Sequence, residues 1–123
     1  LKINFDNDRS IYLQLAESIE DDILKGIFAE EEQIPSTTQM SVQYRINPAT
    51  AAKGVNLLVD EGIIYKKRGI GMFVSAGAKE KIINKRRQQF FDKFIISMLE
   101  EAKKLGIPKQ ELIKMIERGQ INE

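Results

Sequence analysis

With 123 residues, 42% hydrophobic and 30% charged, the chain has the size and composition of one soluble domain, or one domain with a helical appendage. It contains neither cysteine nor histidine, which removes disulfides, thiolate nucleophiles, the usual zinc sites and histidine acid–base chemistry, so neither a cofactor nor an enzyme is expected. The net charge of +1 conceals segregation: residues 1–44 carry three basic against nine acidic side chains, residues 45–87 ten against three, and residues 88–123 six of each. The middle stretch is therefore the one suited to a polyanion. No apolar run approaches the ~20 residues that span a bilayer, and the opening residues lack the layout of a signal peptide. A cytoplasmic location with no membrane partner is expected.

In chain order, the alternation of Ile3, Asn4 and Phe5 predicts a short edge strand, followed by a polar turn at Asp6, Asn7 and Asp8. A helix starting near Ser10 is predicted from Tyr12, Leu15, Ala16, Ile19, Ile23 and Leu24, which recur every three or four residues. Glu17, Glu20, Asp21 and Asp22 take the other face, and Gly26 suits a left-handed stop. After the acidic run Glu30, Glu31 and Glu32, Ser36 and Gln39 form a capping-box pattern opening a short helix with Met40 and Tyr44. Arg45 and Ile46 make a tight connection. Asn47 and Pro48 then combine a strong N-cap with proline at the first helical position, opening a third helix that runs to about Asp60 and Glu61 and stops at Gly62. Ala51, Val55, Leu58 and Val59 face inward, and Gly54 within this helix points to close packing.

Residues 63–66 and 72–74 read as two strands joined by Lys67, Arg68, Gly69, Ile70 and Gly71, a hairpin whose tip follows three consecutive cations. Small residues at 75–78 read as a linker. Beyond them a helix is predicted over residues 79–105, then a second from Lys109 to Arg118. The order of elements over residues 1–77 is that of a winged helix-turn-helix domain, and residues 78–123 form a helical segment. The fold class is thus mainly α with a small β-hairpin wing.

Ile11-Tyr12-Leu13-Gln14, Ile34-Pro35-Ser36, Asn47-Pro48-Ala49-Thr50, Leu57-Leu58-Val59-Asp60-Glu61-Gly62 and Arg68-Gly69-Ile70-Gly71-Met72-Phe73-Val74 together resemble the N-terminal domain of GntR-type bacterial transcriptional regulators over about residues 3–75. The Asn-Pro-x-Thr opening of the third helix and the short two-helix tail resemble the YtrA-like subfamily. The resemblance implies a dimeric, operator-binding repressor, its partners a double-stranded DNA operator and a second copy of itself. Ser36, Thr37, Thr38, Asn47, Pro48, Ala49, Thr50, Lys53, Lys67, Arg68, Gly69 and Gly71 are the candidate DNA contacts. The chain departs from the family at Thr38, Pro48 and Ala52, where other branches often carry arginine, leaving Lys53 as the main cation of the third helix. A proline-glycine turn usual before the Pro-Ser pair is replaced by Glu30 and Glu31.

Some of these residues have plainer readings. Ser36 and Asn47 serve as helix caps, with or without a phosphate contact, and Thr50 could bond back to its own helix. Tyr44 and Tyr65 read as core or rim residues. Lys81, Lys85, Arg86 and Arg87 form either a solvated face or a second phosphate contact. In the tail, Phe90, Phe91, Phe94, Ile95, Met98 and Leu99 carry more apolar surface than a short partner helix covers, which points to homodimerisation. Two rivals remain: a sensor whose tail binds an unidentified effector, and a winged-helix module for protein interaction.

Overall fold

The computed structural model describes residues 3–4 and 10–119. Helices α1 (Ile11–Leu24), α2 (Thr37–Tyr44) and α3 (Pro48–Asp60) pack with a small antiparallel sheet of β1 (Gln33–Ile34), β2 (Ile64–Lys67) and β3 (Gly71–Val74). The strand order is β1-β3-β2, and Tyr65 lies opposite Phe73 and Lys67 opposite Gly71. There follow α4 (Ala78–Phe90), a π-helical segment (Phe91–Ile95), α5 (Ile96–Lys104) and α6 (Lys109–Arg118). The chain forms two compact units that meet at Ile83 and Asn84.

The core of the first unit gathers Leu15, Ile19 and Ile23 of α1, Val55 and Leu58 of α3, Met40 of α2, and Ile64, Met72 and Val74 of the sheet. Each fully buried aliphatic side chain contributes about 1.5–3 kcal/mol. Gly26, with φ +81°, continues the chain from α1 in the left-handed conformation expected of it. Ser10 occupies the N-cap of α1 but its hydroxyl makes no capping bond. The expected exposed face of α1 needs one correction. Glu20 is 1% exposed, because it stands four residues after Ala16 and three before Ile23, on the buried side of the helix. Ser18 is buried as well, and its hydroxyl pairs with that of Tyr44 at 3.2 Å.

Ile3 and Asn4 form no strand, and Phe5 and the predicted turn at Asp6, Asn7 and Asp8 lie outside the described residues. The third strand comes instead from Gln33 and Ile34, paired with Phe73 and Met72. The acidic loop that leads into it is tied down. Glu31 takes φ +66°, a conformation that favours glycine, and its N–H donates to the Val74 carbonyl at 2.8 Å. Its carboxylate accepts from the Tyr65 hydroxyl at 3.0 Å, while the Glu30 carboxylate accepts from the Gly77 N–H. Partial burial, and after it the bond to Glu31, raise the Tyr65 pKa above the ordinary phenol range.

The segment expected to be a linker belongs to the first unit. Ala78 and Ile82 are completely buried in its core, and the Lys81 ammonium donates to the Gly62 carbonyl at 3.0 Å, just past the end of α3. The compact unit therefore runs to Ile83, beyond the boundary expected near residue 77. In the second unit the expected long α-helix is interrupted at Phe91–Ile95, where the backbone widens into a π turn. No proline or glycine marks that interruption in the sequence. Ala102 and Leu112 are the buried residues among those described in this unit, whereas Phe90, Phe94 and Ile116 are each more than half exposed.

Helices α1 and α3 meet at Gly54. A Cβ built there would lie 2.7 Å from the Tyr12 carbonyl oxygen and 3.4 Å from a Leu15 methyl carbon. Backbone would have to shift, so Gly54→Val is expected to lower stability by about 1–3 kcal/mol through overpacking, read from urea unfolding midpoints.

Candidate nucleic-acid interface

Pro35 and Ser36 bring the chain from β1 into α2. The Ser36 hydroxyl accepts from the Gln39 N–H at 3.1 Å while the Gln39 side chain accepts from the Ser36 N–H at 2.8 Å, completing the capping box. This fixes the N-terminus of α2 beside the wing. Ser36, Thr37 and Thr38 line one groove with Lys66, Lys67, Arg68, Gly69 and Gly71. The helix start presents the positive end of its dipole to that groove, and the basic stretch of the wing completes its lining.

The wing tip is held by Gln33. Its side-chain amide donates to the Ile70 carbonyl at 3.1 Å, and it lies where a Cβ on Gly71 would meet it at 2.4 Å. Gly71, at φ +146°, is required by its backbone conformation, and a Cβ there would also displace the Gln33 amide from its place at the tip. Strand alternation places Lys67 with Tyr65 and Phe73, and Lys66 on the opposite face with Ile64 and Met72. Lys67 Nζ stands 4.4 Å from the Phe73 ring centre, and Lys66 Nζ donates to the Asn56 side chain of α3 at 3.1 Å. Thr37 turns its hydroxyl toward the Met72 sulfur at 3.9 Å.

Helix α2 ends at Arg45, whose left-handed φ of +56° makes the sharp connection to α3. Asn47 caps α3 by accepting from the Ala49 N–H at 2.7 Å, and Pro48 occupies the first turn. Asn47, Pro48, Ala49 and Lys53 are exposed, and Thr50 is half-buried. Ala49 and Lys53 line a second concavity with Tyr12, Ala52, Asn56, Leu57 and Asp60. There Lys53 Nζ lies 4.2 Å from the centre of the Tyr12 ring.

Of the expected DNA contacts, Ser36, Thr37, Thr38, Lys67, Arg68, Gly69 and Gly71 share the first groove, and Ala49 and Lys53 share the second. Asn47, Pro48 and Thr50 line neither. Gln33, Lys66 and Tyr12 were outside the expected set. Alternation along β2 would have singled out Lys66, but a two-residue strand leaves no periodicity from which to find Gln33.

Among the described residues no cluster of carboxylates is placed to hold a metal ion, and no helix is long and apolar enough to cross a membrane. The helical core, the tight turn before the capped third helix and the cationic hairpin define a winged helix-turn-helix protein. Residues 11–74 match the model of the bacterial regulatory proteins of the gntR family, and the chain belongs to that family.

The chain is similar to the uncharacterized HTH-type transcriptional regulator YhcF of Bacillus subtilis, at 25% identity over 91% of each. It is 33% identical to the transcriptional repressor YtrA of the same organism, over 59% of this chain and 56% of that protein. Among solved structures, a GntR-family regulator from Bacteroides thetaiotaomicron is 40% identical over 86% of this chain and 92% of its own, with a TM-score of 0.73. The DNA-binding domain of AraR, solved in complex with an operator, is 30% identical over 52% of this chain and 77% of its own, at a TM-score of 0.50.

If Ser36 caps α2 as the geometry requires, Ser36→Ala should cost about 0.5–2 kcal/mol of stability, measured by denaturant unfolding of the full chain.

Proposed function

We propose that this chain is a transcriptional repressor of the YtrA-like type that acts in the cytoplasm as a homodimer, occluding a palindromic operator without catalysis. The observation that carries the reading is the groove lined by the capped start of α2 together with the wing residues Lys66, Lys67 and Arg68. Helix N-terminus and cations hold phosphates, positioning the protein on the duplex, and α3 supplies the base-reading surface. The operator complex of the AraR DNA-binding domain and the repressor name of the YtrA relative support it. Reading by α3 is modest in strength, since Pro48 and Ala52 stand where arginine would fork onto guanine.

The tail supports a dimer. Phe90, Phe91, Phe94 and Leu99 are exposed and Ile95 and Met98 half-buried on a single chain, an apolar face that a two-fold partner would cover. Two copies then present two wings and two α3 helices to the half-sites of a palindrome.

Selection of bound fragments from random DNA, followed by fluorescence anisotropy against salt, tests the reading. A preferred palindrome with a steep salt slope is expected. Binding without sequence preference would defeat it. Lys67→Ala should reduce the slope of log affinity against log salt by about 0.9, the value for one phosphate contact. Phe90→Glu combined with Phe94→Glu should convert the full chain to monomer in sedimentation velocity while leaving the first unit folded.

A further inference from the structure

We infer that Tyr12 of α1 is a positioning residue for DNA recognition, holding the Lys53 ammonium in place over α3 by a cation–π contact. The inference rests on the proposed DNA-binding function. Lys53 is the cation of α3, and its Nζ sits 4.2 Å from the Tyr12 ring centre, within the range of such a contact. Both residues line the same concavity. The contact depends on the close approach at the neighbouring position. Gly54 lets the Tyr12 carbonyl come within 2.7 Å of where its Cβ would be, so the α1 backbone beside Lys53 cannot drift outward without opening that junction.

What the ring does can be separated from what a carboxylate there would do. Asp60 lines the same concavity and is the acidic side chain among its lining residues. An ion pair with it would cancel the lysine charge. An aromatic face attracts the ammonium through its quadrupole and leaves the whole positive charge, with its N–H donors, for a phosphate or for the acceptor edge of guanine. A free lysine has four rotatable side-chain bonds to immobilise on binding, and the ring removes part of that cost beforehand. Asn56, the other polar neighbour on α3, is engaged by Lys66 and does not compete for Lys53.

The test is a double-mutant cycle on the full chain, using the DNA fragment obtained by selection with the unmodified protein. Tyr12→Leu should weaken binding about two- to fivefold, the range of an exposed cation–π contact, and Tyr12→Phe should retain the affinity because the ring is kept. In a Lys53→Ala background, Tyr12→Leu should have no further effect. Without DNA, the upfield ring-current shift of the Lys53 ε-methylene protons should vanish in Tyr12→Leu and persist in Tyr12→Phe. If Tyr12→Leu melts well below the unmodified chain, Tyr12→Met, unbranched and better able to fill the space of the ring, replaces it in the cycle. An equal loss in both Lys53 backgrounds, or a gain in affinity on removing the ring, overturns the positioning role while Lys53→Ala still weakens binding. Silence of Lys53→Ala itself overturns the reading surface assigned to α3, and the role of Tyr12 with it.

Discussion

The close crossing of α1 and α3 at Gly54 is the constraint on which the first unit depends. Helix pairs with ordinary side chains at the contact keep their axes 8–10 Å apart, and a glycine lets backbone meet side chain directly. Here the Tyr12 carbonyl and the Leu15 side chain occupy the space a Cβ would need. Leu15, Ile19, Val55 and Leu58 then close over the sheet with essentially no exposure, and the outer face of α3 is left free at Ala49 and Lys53. A glycine that weakens the helix as an isolated segment thereby strengthens the packed unit.

The wing shows how local chemistry sets a functional surface. Its two glycines allow the tip, but the tip is fixed in place by a residue far away in sequence, Gln33, bonded to the Ile70 carbonyl. In the acidic stretch before β1, the Glu31 and Glu30 carboxylates accept from the Tyr65 hydroxyl and the Gly77 N–H, and so tie that loop to the sheet and to the start of α4.

The sequence made the helices legible wherever periodicity and caps agreed. The Ser36 and Gln39 box, the Asn47 and Pro48 start and the stop at Gly62 all stand where local spacing placed them. Tertiary context decided the rest. Gln33 and Ile34 form a strand only because β3 offers an edge, Glu20 is buried by its angle on α1 rather than by its chemistry, and the π turn at Phe91–Ile95 has no local signature. The candidate site was legible as residue types more than as partnerships. Lys53, Lys67 and Ser36 could be named, whereas the ring beneath Lys53 and the opposite facing of Lys66 and Lys67 come from three-dimensional neighbours.

The burial of Ala78 and Ile82 bears on where a different tail can be joined to this head. Seen as modules, a DNA-binding head and an interchangeable tail invite a splice at the small, glycine-containing stretch after β3. The first turns of α4 nonetheless complete the hydrophobic core of the head, and Lys81 closes the end of α3. A functional chimera must therefore keep the chain through Ile83 and graft its new tail within an existing helix, matching helical phase across the seam.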